Sequence, residues 1–226
     1  MGIQTRTYKE LPICEKEILR YAGCKSSQEE LLRLLEECLQ EVRSGYKGSV
    51  CYKEYPVMIE EGLVKIGENE IFSKDLAKNL EGCKSVILFG ATIGVQMDRL
   101  IARYSKISPS RAFMMQAIGT QQIEALCDTF CEEMEKEYDT ILKPRYSPGY
   151  GDVPLEVQKL FFAHLDCAKH IGLSLNDSLL MSPSKSVTAF VGITDLERNS
   201  TNQKDRLKRN KCAMCQMMDC QYRGIV

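Results

Sequence analysis

The chain has 226 residues, 44% of them hydrophobic and 27% charged, with a formal net charge of -1. That length supports a sizeable buried core, and the near-neutral balance gives no electrostatic pull toward nucleic acid or an anionic membrane. No apolar run approaches the ~20 residues that span a bilayer and the opening MGIQTRTYKE is no signal peptide, so the expectation is a cytoplasmic protein with no nucleic-acid or membrane partner.

Eleven cysteines in a chain without a secretion signal read as reduced thiols or metal ligands rather than disulfides. Eight are scattered, from Cys14 to Cys167, and pack as small hydrophobes. The other three, Cys212, Cys215 and Cys220, cluster near the C-terminus.

Residues 4 to 11 alternate weakly and suit an edge strand. PICEKEILRYAG suits a short helix with Pro12 near its start and Gly23 as its stop. A second helix follows from Ser26, with serine caps and an apolar stripe of Leu31, Leu34, Leu35, Cys38 and Val42. The segment G48-S-V-C-Y-K-E-Y is rich in strand formers and ends before Pro56, and K65-I-G-E-N-E-I-F72 predicts a hairpin turning at Gly67 to Asn69. S73-K-D-L-A-K-N-L-E-G82 is a short capped helix. The V-I-L-F run that follows in S85-V-I-L-F-G-A-T-I-G94 predicts a buried central strand, with a glycine turn from Gly90 to Gly94 leading into a helix at Val95. Neither G-x-G-x-x-G nor a G-K-[ST] ending is present, so these glycines serve packing rather than a dinucleotide.

The longest helix runs from Ser108-Pro109 to about Tyr138, with proline at its first position. Gly119 in its interior costs roughly 1 kcal/mol relative to alanine and predicts a close contact. Glu124 and Asp128 share one face of it. After the junction R145-Y-S-P-G-Y-G151, PLEVQKLFFAHLDCAKHIG predicts a single amphipathic helix with Pro154 in its first turn and Gly172 as its stop. Strand candidates follow at Leu173 and at Ser186 to Ile193. Helices and strands mix irregularly without repeats, giving an α+β (mixed α/β) domain over residues 1–194. From Asp195 the chain becomes polar, so residues 195–226 form a linker and cysteine-rich tail.

The junction concentrates conformational control. Pro144 and Pro148 restrict the backbone, while Gly149 and Gly151 allow angles other residues avoid. Composition leaves two readings, a rigid helix-to-helix connector or a stiff loop displaying backbone groups, with Arg145 placed to grip a carboxylate bidentately.

The pattern R145-x-S-P-G-Y150 is similar to the R-P-A-P-G-Y loop of the activation (reactivation) domain of cobalamin-dependent methionine synthase. A117-I-G-T-Q-Q-I-E-A-L126, F161-F-A-H-L-D-C-A-K-H-I-G-L-S-L-N-D-S178 and M181-S-P-S-K-S-V-T-A-F190 supply matching context over residues 85 to 193. The resemblance implies a single domain with a central, mainly antiparallel twisted sheet flanked by helices. It implies S-adenosylmethionine binding, with Arg145 on the methionine carboxylate and Ser147 and Gly149 contacting the ligand through backbone. Tyr150 with Gly151 would face a corrin. Glu124, Asp128 and Asp139 are candidates to balance the sulfonium charge. The cobalamin would be carried by a partner, a methionine synthase or corrinoid protein, with a flavodoxin or ferredoxin-type electron donor, and this chain would be a stand-alone reactivation subunit rather than a complete methyltransferase.

No catalytic base is expected, since methyl transfer to cobalt asks the protein chiefly for positioning. His164 and His170 are expected to be structural. The family's aromatic closing strand after Ile193 is replaced here by the polar stretch. C212-x-x-C215-x-x-x-x-C220 supplies three thiols suited to zinc or an iron-sulfur cluster. Two other functions remain open from sequence: a cobalamin-protein-binding scaffold without S-adenosylmethionine chemistry, and a metal or redox module acting through the tail.

Overall fold

A computed structural model describes residues 2–24, 29–43 and 47–197. In chain order the elements are β1 (Gln4–Tyr8), α1 (Glu15–Tyr21), α2 (Glu29–Arg43), β2 (Gly48–Glu60), β3 (Leu63–Ile66), β4 (Asn69–Phe72), α3 (Lys74–Asn79), β5 (Ser85–Thr92), α4 (Val95–Ile107) and α5 (Pro109–Glu137). There follow β6 (Thr140–Leu142), a 3₁₀ turn (Leu155–Val157), α6 (Gln158–Leu165), α7 (Cys167–Ile171), β7 (Ser174–Leu175), β8 (Met181–Ser182) and β9 (Ser186–Glu197). The main sheet has the order β4-β3-β2-β5-β9-β6, with β1 also paired to β2, and β7 and β8 form a separate ribbon. Pairings of β1 with β2, β2 with β3, β3 with β4 and β6 with β9 are antiparallel. A single α+β domain with a mainly antiparallel sheet flanked by helices is therefore what the chain forms.

The V-I-L-F run is the middle of this sheet, as its hydrophobicity predicts: Val86, Ile87, Leu88 and Phe89 are fully buried. Gly90, Ala91 and Thr92 belong to β5 itself, and the turn is only Ile93 and Gly94. Gly90 is there because β5 has no room for a side chain at that point: a Cβ would stand 3.0 Å from the Cys167 Sγ.

β2 continues through Pro56 where the sequence suggested a stop. Its partners explain why. The pairing with β1 ends at Tyr52 and the pairing with β3 begins at Val57, so the missing proline N–H falls between the two. α1 starts at Glu15, later than Pro12, because the Pro12 carbonyl is held instead by the Gln121 and Gln122 amides at 3.1 and 3.4 Å.

By contact the chain divides into two compact units, each discontinuous in sequence. Among the described residues, the first comprises residues 2–24, 29–43 and 47–53, with Phe89–Phe130 and Gln158–Thr188. Its core centres on Phe130, whose ring lies 5.0 Å from Tyr52 and 5.1 Å from Phe89, the offset separations aromatic quadrupoles favour. Gly119 of α5 makes the close contact its position predicts, since a Cβ there would meet Met97 Cγ at 2.9 Å and Lys185 Cε at 3.0 Å.

Among the described residues, the second unit comprises Glu54–Leu88, Cys131–Val157 and residues 189–197. Here β3, Gly67 with a left-handed φ of 59° and β4 form the expected hairpin, and Ser73 caps α3 by accepting from the Leu76 N–H at 2.9 Å. The close approach of β9 to its surroundings is set by Gly192, where a Cβ would lie 2.6 Å from Cys83 Sγ and 2.9 Å from Leu80 Cδ2.

Candidate functional site

The junction loop belongs to the second unit and is built in layers. Its first strand-like residues attach to β9: the Lys143 N–H donates to the Gly192 carbonyl at 2.9 Å, and Tyr146 and Phe190 exchange backbone bonds at 3.0 and 2.8 Å. This pairing holds Arg145 half-buried in an extended segment. The chain then turns at Ser147-Pro148-Gly149-Tyr150, where the Tyr150 N–H donates to the Ser147 carbonyl at 3.2 Å and Gly149 has a φ of 87°. Proline second and left-handed glycine third is the requirement of a type II turn, so the composition of this tetrapeptide has a direct geometric cause.

A second turn closes immediately. Gly149 N–H donates to the Val153 carbonyl at 2.9 Å and Val153 N–H to the Tyr150 carbonyl at 3.0 Å. Both the Gly149 and Tyr150 N–H groups are thus spent inside the loop, and a contact from the Gly149 backbone to a ligand would run through its carbonyl.

α3 clamps this loop at both ends. The Asn79 amide donates to the Pro144 carbonyl at 3.1 Å. At the other end Asp152 accepts from the Ser73 hydroxyl, from the Lys74 N–H at 2.8 Å and from the Asp75 N–H at 3.3 Å. With Ser73 covering Leu76, these bonds satisfy the orphan donors of the first turn of α3. The Ser73 bond, opposed by burial and aided by the two backbone N–H groups, holds the Asp152 carboxyl below its ordinary value.

Gly151 sits where loop and helix meet, with a φ of 53°. A Cβ there would collide with the Tyr146 hydroxyl and the Asp75 carboxylate, so the space a side chain would need is taken by the protein itself. Tyr146 also donates to the Tyr150 carbonyl at 3.3 Å. Burial, then the nearby Asp75 and Asp152 charges, push its phenol up to about 12. Pro148 is buried beneath the turn, whereas the Tyr150 side chain is 69% exposed. The loop therefore presents Tyr150 outward on a rigid base.

The loop brings together Arg145, Ser147, Gly149, Tyr150 and Gly151, and adds Asp75, Asn79 and Asp152, which sequence reasoning did not select. No local sequence signal marked Asp152, since it caps a helix that it does not itself begin. Its partner, 79 residues upstream at Ser73, was not deducible. Glu124 and Asp128 lie on α5 in the first unit, Glu124 half-buried and Asp128 exposed. The Glu124 charge, after burial, raises the Tyr21 phenol above its ordinary value.

The M181-S-P-S-K stretch is also organised, within the first unit. Asp98 near the start of α4 accepts from the Ser184 N–H at 2.9 Å and from its hydroxyl, and Lys185 Nζ donates to Thr120 Oγ1 at 3.0 Å. Burial holds the Lys185 amine below its usual value, partly offset by Asp98. Neither histidine takes part in the loop, and burial lowers the His164 imidazole.

Cys212, Cys215 and Cys220 lie outside the described residues. Among the described residues, no group of three or more His, Cys, Asp or Glu side chains is arranged to hold a metal ion, and no helix is long and apolar enough to cross a membrane.

No protein-family model matches the chain, and no curated protein matches it. Among solved structures, the chain is similar to a crystal structure of the MetH reactivation domain bound to AdoHcy, with a TM-score of 0.61 and 14% sequence identity over 85% of this chain and 78% of that one. At that identity the two share a fold, and the fold is that of a methionine synthase reactivation domain.

Proposed function

We propose that this protein binds S-adenosylmethionine at the Arg145 to Gly151 loop and supports reactivation of a cobalamin-bearing methionine synthase or related corrinoid protein. The observation that carries the reading is the combination of this fold, whose solved neighbour holds AdoHcy, with a rigid type II turn that follows a half-buried arginine and presents an exposed tyrosine.

In this reading Arg145 takes the amino-acid carboxylate of the ligand through its planar fork, a geometry lysine does not offer. The Ser147 backbone and the Gly149 carbonyl orient it. Asp75, packed on Gly151, supplies negative charge near the loop, a role the sequence assigned to Glu124, Asp128 or Asp139. The ligand would provide the methyl group for a reduced corrinoid on the partner, with an electron from a flavodoxin or ferredoxin-type donor. The residues of this chain bind, orient and present, and Tyr150 forms the outward face toward the corrin. Nothing in this division of labour calls for a general base.

Calorimetric titration with S-adenosylmethionine tests the proposal. Wild-type protein is expected to bind, and Arg145→Ala to weaken binding by about ten- to a hundredfold, the value of a lost charge-assisted pair. No binding by folded wild-type protein would remove the ligand reading and leave a cobalamin-protein-binding scaffold.

A further inference from the structure

The first unit holds a pair of thiols that the methyl-donor loop does not use. Cys51 of β2 and Cys167 at the start of α7 are 116 residues apart in sequence, yet their Sγ atoms lie 3.6 Å apart. Both side chains are buried, at 0% and 1% exposure. Gly90 on β5 makes the room, since a Cβ there would press on Cys167 Sγ at 3.0 Å and Cys51 Sγ at 3.7 Å.

The two thiols are not equivalent. The hydrogen bond the two sulfurs share lowers the Cys51 thiol despite its burial, with the Gly90 backbone adding to the effect. The same bond and burial push the Cys167 thiol up. The lowered thiol makes Cys51 the readier of the two to ionise.

Ser49, Thr92 and Ile171 line an open cleft of ≈ 340 Å³. They lie one strand repeat from Cys51, one strand repeat from Gly90 and one helical turn from Cys167, so each shares a face with the residue beneath it. α7 is also short and bracketed by left-handed residues, Asp166 at φ 43° and Gly172 at φ 66°.

We propose that Cys51 and Cys167 form a redox dithiol, which a small hydroperoxide converts to a disulfide joining β2 to α7. The Cys51 thiolate attacks the peroxide oxygen, the O–O bond breaks, and an alcohol or water leaves with one proton, giving a sulfenic acid. The Cys167 sulfur then displaces hydroxide from that sulfur, its proton completing a water molecule. Both sulfurs are oxidised and the peroxide is reduced. The sulfurs must close from 3.6 Å to about 2.0 Å, and the bond fixes α7, with His170 and Ile171 at the cleft wall, to the sheet.

The test uses the full chain, reduced, freed of reductant, treated with hydrogen peroxide, quenched in denaturant with N-ethylmaleimide and digested without reduction. Mass spectrometry is expected to find the Cys51 and Cys167 peptides joined, with loss of both alkylated forms. In Cys167→Ser with an unchanged circular dichroism spectrum, Cys51 is expected to persist as a sulfenic acid captured by dimedone. Either of two results overturns the proposal: a wild-type map in which both cysteines remain free or join other cysteines, or a folded Cys167→Ser protein whose Cys51 stays unmodified.

Discussion

Asp152 is the position where loop geometry and stability meet, and its removal has a calculable cost. Its carboxylate serves the Ser73 hydroxyl and the first two N–H groups of α3. Losing such a cap costs about 1 kcal/mol, and losing a negative charge at a helix start adds ~0.3–1 kcal/mol. Solvent exposure keeps the electrostatic part at the low end. Asp152→Ala is thus expected to lose about 1–2 kcal/mol and Asp152→Asn, which retains an accepting oxygen, roughly half as much. The carboxyl is held below its unfolded value near 3.8, so its contribution is fully present above that pH and disappears as pH falls through the lower folded value. Urea denaturation of the three proteins at pH 7 and at pH 3, with amide exchange followed over residues 145–153, measures both effects. Equal stability of Asp152→Ala and wild type at pH 7, with loop exchange unchanged, would refute the claim that α3 clamps the loop.

Gly151→Ala places a methyl group against Tyr146 and Asp75 at a φ of 53°. A loss of about 1–3 kcal/mol in urea denaturation is expected, together with a Tyr146 phenol that titrates lower by ultraviolet absorbance as the loop lifts away from the acids. Gly192→Ala meets Cys83, Leu80 and Lys143 within 3.1 Å. Overpacking of about 1–3 kcal/mol should appear as a lowered midpoint in thermal denaturation, whereas an unchanged midpoint would mean that β9 and α3 yield freely.

Much of the chain was legible because its signals are local. The capping serine at Ser73, the Gly67 hairpin, the buried V-I-L-F strand and the proline-led α5 each depend on residues within a few positions, and each formed. The predicted helix from Pro154 to Gly172 did not stay whole: it breaks at Asp166, which adopts a left-handed conformation between α6 and α7. Leu165 and Cys167 on either side are both buried, so packing on two sides of the break overrides the helical periodicity. β8 was missed because a two-residue strand has no period to read. In the loop, the prolines and glycines read as a stiff extended segment, whereas Pro148 and Gly149 form a type II turn, and the clamp by Asn79 and Asp152 depends on partners more than sixty residues away.

The sequence by itself determined the order and type of most elements, the stiffness of R145-Y-S-P-G-Y-G151 and the resemblance that suggested the reactivation-domain fold, since propensity, capping and backbone restriction act over a few residues. Tertiary structure alone decided why Gly151 has no side chain, which helix the loop leans on, and that Cys51 meets Cys167 over Gly90. Those outcomes depend on which distant surfaces fill the same small volume, and close packing settles that only once the sheet has assembled.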